Sequence, residues 1–131
     1  MEAKFSPKVK EVITYSKEEA LRLNHNHIDI EHLLLGLLRE GDSVAVKVLR
    51  SLNIDIILLR KALEDNMRGR ISHGTVNASN LPLTKSAEKT LKVTVLEAKM
   101  LKNEIIGTEH LMLSILKNKE NAATHLSLIH I

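Results

Sequence analysis

Ile28-Asp29-Ile30-Glu31-His32-Leu33-Leu34-Leu35-Gly36-Leu37-Leu38-Arg39-Glu40 is the stretch that decides the fold, because most of it returns as Ile106-Gly107-Thr108-Glu109-His110-Leu111-Met112-Leu113-Ser114-Ile115-Leu116-Lys117. The two glutamates stand 78 positions apart (109 − 31 = 78), as do the two histidines, and the same offset pairs Ala20 with Ala98 and Leu23 with Leu101. A fixed offset of this kind marks a duplicated supersecondary unit. Gly36 falls opposite Ser114, so a small residue recurs mid-helix where a larger one would hold a neighbouring helix away. Repetition of a packing detail implies repetition of a fold.

Upstream of the first copy, Ser6-Pro7 is a helix start: serine accepts a bond from an orphan N–H, and proline suits the first helical position. Val9, Val12, Ile13, Ser16, Ala20 and Leu23 then recur at three- and four-residue steps, as one helical face does, and Asn24-His25-Asn26-His27 makes the turn. Asp29 caps a second helix so rich in leucine that it must be buried on more than one side. Gly41 ends it, Val44 to Leu52 form a short third helix, and Asn53-Ile54-Asp55 opens a fourth. A polar, glycine-containing connection follows. Leu83-Thr84-Lys85 then matches Phe5-Ser6-Pro7 and opens a helix to about Lys102, Thr108 is expected to cap the second leucine-rich helix, and a third begins around Ala122 and Ala123.

The expected architecture is therefore all-α, two tandem four-helix repeats related by a pseudo-twofold axis. Repeat one covers about 5–67, the connection about 68–82 and repeat two about 83–126, which stops before a counterpart of the fourth helix. Residues 127–131 break the pattern and are set aside as a truncation, a cloning scar or a sequence-end artefact.

The 131 residues suffice for one domain, and 44% hydrophobic with 27% charged residues is a globular composition, not a disordered one. No apolar run reaches the length of a membrane helix, and the first residues carry no signal-peptide pattern, so a soluble, cytoplasmic protein is expected. Without cysteine there is neither a disulfide framework nor thiolate metal chemistry. The net charge of +3 does not point to nucleic acid, since basic and acidic residues are interleaved and Phe5 and Tyr15 are the only aromatic residues on which bases could stack.

The doubled Glu-His-Leu-x-Leu helix start, the Glu-Ala-x-x-Leu at Glu19–Leu23 and Glu97–Leu101, and the Arg39-Glu40-Gly41 break resemble the N-terminal domain of Clp-type AAA+ unfoldases, within that group most closely ClpC. The resemblance runs from Phe5 to about Leu126. It implies a pseudo-twofold helical domain that sits on a hexameric ATP-driven unfoldase, receives substrates or adaptor proteins, and passes them on for delivery to a partner peptidase. The chain has no Gly-x-x-x-x-Gly-Lys-Ser/Thr loop, so ATP use is assigned to other segments of such a protein, and neither enzymatic activity nor a cofactor is expected here. An excised domain is expected rather than a free-standing relative.

The resemblance also implies a phosphoarginine site in each repeat, with Glu31 and Glu109 at the matching positions and Ser6 and Thr84 at the helix starts that would face the phosphate. The chemistry is coherent, because a carboxylate takes guanidinium N–H groups in a fork while helix-start amides and a hydroxyl take phosphate oxygens. Each glutamate is expected beside the helix start of its own repeat. On that pairing Pro7 deprives the first site of a donor that Lys85 keeps in the second, and Asp29 adds a negative charge to the first where the second has Gly107, so unequal affinities are expected.

Simpler readings compete with this one. A carboxylate in the first turn of a helix is favoured by the dipole with no ligand. His32 and His110 read as packing residues rather than ligands. His25, His27, Glu31 and His32 offer zinc-ligand types, yet the spacing matches no zinc pattern, and Asn103 and Ile105 replace two of them in repeat two. No local Ser/His/acid set supports nucleophilic catalysis. The alternative to a phosphoarginine site is a helical scaffold that acts only through partner helices.

Overall fold

The computed structural model describes residues 4–68 and 81–117. They form β1 (Lys4–Phe5), α1 (Pro7–Arg22), α2 (Ile30–Glu40), α3 (Val44–Ser51), α4 (Ile56–Met67), α5 (Lys85–Met100), β2 (Ile105–Ile106) and α6 (Thr108–Lys117). The expected third helix near Ala122 and the set-aside tail lie outside the described residues, as does most of the connection. The helical class stands.

Local chemistry fixes where the helices begin. Ser6 Oγ accepts from Val9 N–H at 3.2 Å with Pro7 in the first helical position, and Thr84 Oγ1 accepts from Ala87 N–H at 3.1 Å at the equivalent place in repeat two. Ser43 caps α3 through Val46 N–H, and Asp55 caps α4 through the N–H groups of Ile57 and Leu58. The ends repeat as well. Asn24 (φ 59°) and Lys102 (φ 58°), one offset apart, turn left-handed, and His25 N–H and Asn103 N–H reach back to the carbonyls of Ala20 and Ala98, both at 2.8 Å. This paired closure satisfies orphan carbonyls at a helix C-terminus.

Helix α2 is the centre of the molecule. Ile30, Leu33, Leu34, Leu35 and Leu37 are buried, and the helix touches every other described helix. Each fully buried leucine stabilises the fold by roughly 1.5–3 kcal/mol. Contact with α1 is closest at Gly36, where a Cβ would lie 2.5 Å from both Ser16 Oγ and the Val12 carbonyl oxygen. The small residue in the repeated motif is thus the crossing point of two backbones.

Helix α4 is fastened to α1 by charge. Glu19 is 1% exposed and takes Arg22 Nε at 2.6 Å and Arg60 Nη2 at 2.9 Å, while Glu64 takes Arg22 Nη2 at 2.6 Å and Arg60 Nε at 3.2 Å. The hydrogen bond it donates to Glu19 holds the Arg22 guanidinium above its ordinary pKa. The equivalent Glu97 of repeat two pairs instead with Lys117 of α6.

The two short strands lay beyond the helical pattern. They pair in parallel, Lys4 with Ile105 and Phe5 with Ile106, and an isolated parallel bridge joins Ile28 to Leu83. Offset by one repeat, Phe5 becomes Leu83 and Ile106 becomes Ile28, so the two pairings are the same contact made twice. Among the described residues no helix is long and apolar enough to cross a membrane.

Candidate functional site

The strand pairings place the predicted site residues, and they do so crosswise. Ser6 N–H donates to the Ile106 carbonyl at 2.9 Å, which lays the start of α1 beside the start of α6, where Glu109 stands. Thr84 N–H donates to the Ile28 carbonyl at 3.0 Å, which lays the start of α5 beside that of α2, where Glu31 stands. The expectation that each glutamate serves the helix start of its own repeat is therefore corrected. The short strand leading into each first helix finds its partner in the other repeat, so Ser6 belongs with Glu109, and Thr84 with Lys85 belongs with Glu31. Pro7 and Lys85 change partners with their helices: the start that keeps its first donor, at Lys85, lies beside Asp29.

Behind each junction lies a repeated histidine network. His32 Nδ1 accepts from Asp29 N–H at 2.8 Å, and His32 Nε2 meets His25 Nδ1 at 2.7 Å. His110 Nδ1 accepts from Gly107 N–H at 2.8 Å, and its Nε2 lies 3.0 Å from the Asn103 side-chain amide. In both, the imidazole fills the role a glutamate or glutamine side chain has in a capping box, returning to the backbone N–H three residues earlier. In His32, an Nδ1 that accepts a backbone proton leaves the ring's own proton on Nε2, directed at His25 Nδ1. Both ring nitrogens of His32 are thereby engaged within the protein, and the described residues contain no group of three or more potential ligands that could hold a metal ion. Replacing His32 with alanine removes the acceptor from a helix start and opens a cavity, so unfolding free energy in urea is expected to fall by about 2–3 kcal/mol. A loss under about 0.5 kcal/mol would show that the ring does not hold this helix start.

The two junctions differ where the sequences differ. At the first helical repeat's α2, Asp29 is the cap, and its Oδ1 accepts from Ile30 N–H at 2.8 Å and from Thr84 Oγ1 at 2.9 Å. At α6 the cap position falls to Gly107, whose carbonyl accepts from His110 and Leu111 N–H. The expectation that Thr108 caps α6 is corrected: Thr108 is the first helical residue, and its hydroxyl points to α3, 3.5 Å from Ala45 N. The space an Asp29-like side chain would fill is taken by the Glu109 carboxylate, which a Cβ on Gly107 would strike. Glu31 is buried at 3% exposure, whereas the Glu109 side chain is 48% exposed. Ser6 and Thr84 are half-buried, and Lys85 is exposed.

Comparison with known proteins agrees with this architecture. Residues 4–127 match the Clp repeat (R) N-terminal domain. The chain is 36% identical over 120 residues to the ATP-dependent Clp protease ATP-binding subunit ClpC of Staphylococcus aureus (strain USA300), covering 92% of this chain and 14% of that protein. It is 34% identical over 123 residues to the chaperone protein ClpB of Oceanobacillus iheyensis, covering 94% of this chain and 15% of that one. It thus spans only a small part of the curated relatives it matches. Among solved structures, the Hsp104 N-terminal domain from Candida albicans superposes with a TM-score of 0.83 at 10% identity, covering 97% of this chain and 81% of that one. The N-terminal domain of the ClpV1 ATPase from E. coli gives 0.72 at 20% identity, covering 93% and 70%. At such identities the two structures speak to the fold alone. The repeated sequence, the pseudo-twofold helices and the match along nearly the whole chain together show that this protein belongs to the Clp repeat N-terminal domain family.

Proposed function

We propose that this chain is the substrate- and adaptor-recognition domain of a Clp-type ATP-driven unfoldase acting in the cytoplasm, and that phosphoarginine side chains on protein substrates are among its ligands. It performs no chemistry itself and uses no cofactor. ATP hydrolysis and delivery to a peptidase fall to other parts of the hexameric assembly. The observation that carries the ligand is the crosswise junction, where the start of each repeat's first helix lies beside the start of the other repeat's glutamate-bearing helix. A helix start attracts any phosphate and a carboxylate any arginine, so selectivity comes from requiring both at once.

Calorimetric titration of the whole chain with a phosphoarginine peptide, set against arginine and phosphoserine versions, tests this. Saturable binding of the first alone is expected. Replacing Glu109 with alanine should weaken it by about ten- to a hundredfold, the worth of one charge-assisted pair. Equal binding of phosphoserine, or none of any peptide, would rule the ligand out. In that event the scaffold reading is the one left, and the row Val44 and Val48 on α3 with Leu52 at its C-terminal cap favours it, each residue being half exposed at four-residue spacing where a partner helix could lie.

A further inference from the structure

We propose that only one of the two junctions takes phosphoarginine, the one built from Ser6 and Glu109, and that Asp29 shuts the other by standing in for the ligand's anion at the start of α5. The inference rests on the phosphoarginine reading and adds the residue that decides between the sites.

The Thr84 hydroxyl has one proton, and it goes to the Asp29 carboxylate at 2.9 Å, while the same oxygen accepts from Ala87 N–H. A phosphate arriving at α5 finds that donor already given to a fixed negative charge, and must approach the charge itself. At the arginine end Glu31, two residues on from Asp29, is 3% exposed, and its uncovering when the Asp29 side chain is removed is part of the proposal.

At the other junction both obstacles are missing. Gly107 has no side chain, and the carboxylate in the corresponding space is that of Glu109, the end of a long side chain at 48% exposure that can turn to a fork of N–H groups rather than stay tied to the helix start as Asp29 is. Ser6 Oγ accepts from Val9 N–H, and among the described residues its own proton goes to no carboxylate. Pro7 does remove one backbone donor here. A missing neutral donor is a smaller handicap than a like charge held in place. The offset that relates the repeats thus singles out one position, Asp29 in one copy and Gly107 in the other, as the difference between shut and open.

The test exchanges them. Gly107 has an ordinary, not left-handed, backbone, and the nearest atoms a Cβ there would meet are those of the Glu109 carboxylate, so Gly107→Asp both adds a charge at the helix start and moves that carboxylate aside. Calorimetry of the whole chain with a phosphoarginine peptide is expected to give one equivalent for the unaltered protein, two for Asp29→Gly, and binding weaker by at least about tenfold for Gly107→Asp. Amide NMR shifts locate each event: Lys8 and Glu109 should move in the unaltered protein, with Lys85 and Ser86 joining only in Asp29→Gly. Since Asp29 also caps α2, Asp29→Ser is run beside it. Serine keeps a capping oxygen without the charge, and it too should add a second equivalent.

Two equivalents on the unaltered protein, or a single one on both Asp29 variants, would overturn the proposal and leave the phosphoarginine reading standing. No uptake by any of the four proteins would overturn both.

Discussion

Gly36→Val lowers the free energy of unfolding by about 3–4 kcal/mol, the upper end for overpacking a core, and Gly36→Ala by about 2 kcal/mol. Even the alanine methyl would sit 2.5 Å from the Val12 carbonyl oxygen, a backbone atom inside α1 that cannot swing aside. The second obstacle, Ser16 Oγ at the same distance, is itself tied to that carbonyl at 2.7 Å. Relief requires α1 and α2 to separate, and α2 is the helix on which all the others rest. Alanine recovers up to about 1 kcal/mol because glycine is a poor helix former, which is why its net cost is smaller. An unfolding free energy for Gly36→Val, from urea curves, within about 1 kcal/mol of the parent's would show that the two helices can part without disturbing the core.

Removing Arg22 and Arg60 together costs about 3 kcal/mol, whereas Glu19→Gln costs about 1 kcal/mol; both changes dismantle the two ion pairs of Glu19, and loss of the arginines also breaks their pairs with the more exposed Glu64. The asymmetry follows from where the charges sit. Glu19 is 1% exposed, while the side chains of Arg22 and Arg60 are 47% and 39% exposed. Without the arginines a carboxylate stays buried and uncompensated. Without the carboxylate's charge both guanidiniums still have Glu64 and water. The half-exposed arginines set the figure at the low end for broken buried pairs, because water can follow them in. Equal losses in the two variants, read from denaturant curves, would mean that Glu19 is solvated once its partners go.

The sequence was most legible where one residue type answers one local need. Ser6-Pro7, Asp29, Gly41 and Asp55 mark helix boundaries because caps and left-handed turns are decided within a few residues, and the structure places them there. The Gly36 and Ser114 correspondence foretold the close helix crossing for the same reason. Thr108 misled because it has the chemistry of a cap but sits one position inside the helix, its hydroxyl drawn away to α3. The strands gave no signal, since two residues such as Ile105-Ile106 show no period. With them went the pairing of the site. A repeat tells which segments are alike, and nothing about which copy each will touch. The ion pair from Glu19 to Arg60 was hidden similarly, because it joins helices 41 positions apart. The repeated histidines read correctly as packing residues, though not as caps.

Crosswise strand exchange means that neither half of this chain can assemble a complete junction alone. A fragment of one repeat would have to associate with a twin, and the resulting pair would be symmetric, its two junctions bound to stay identical under any mutation. Fusing the halves into one polypeptide freed the positions to diverge. A single substitution could then change one side, as Asp29 against Gly107 does, without touching its counterpart.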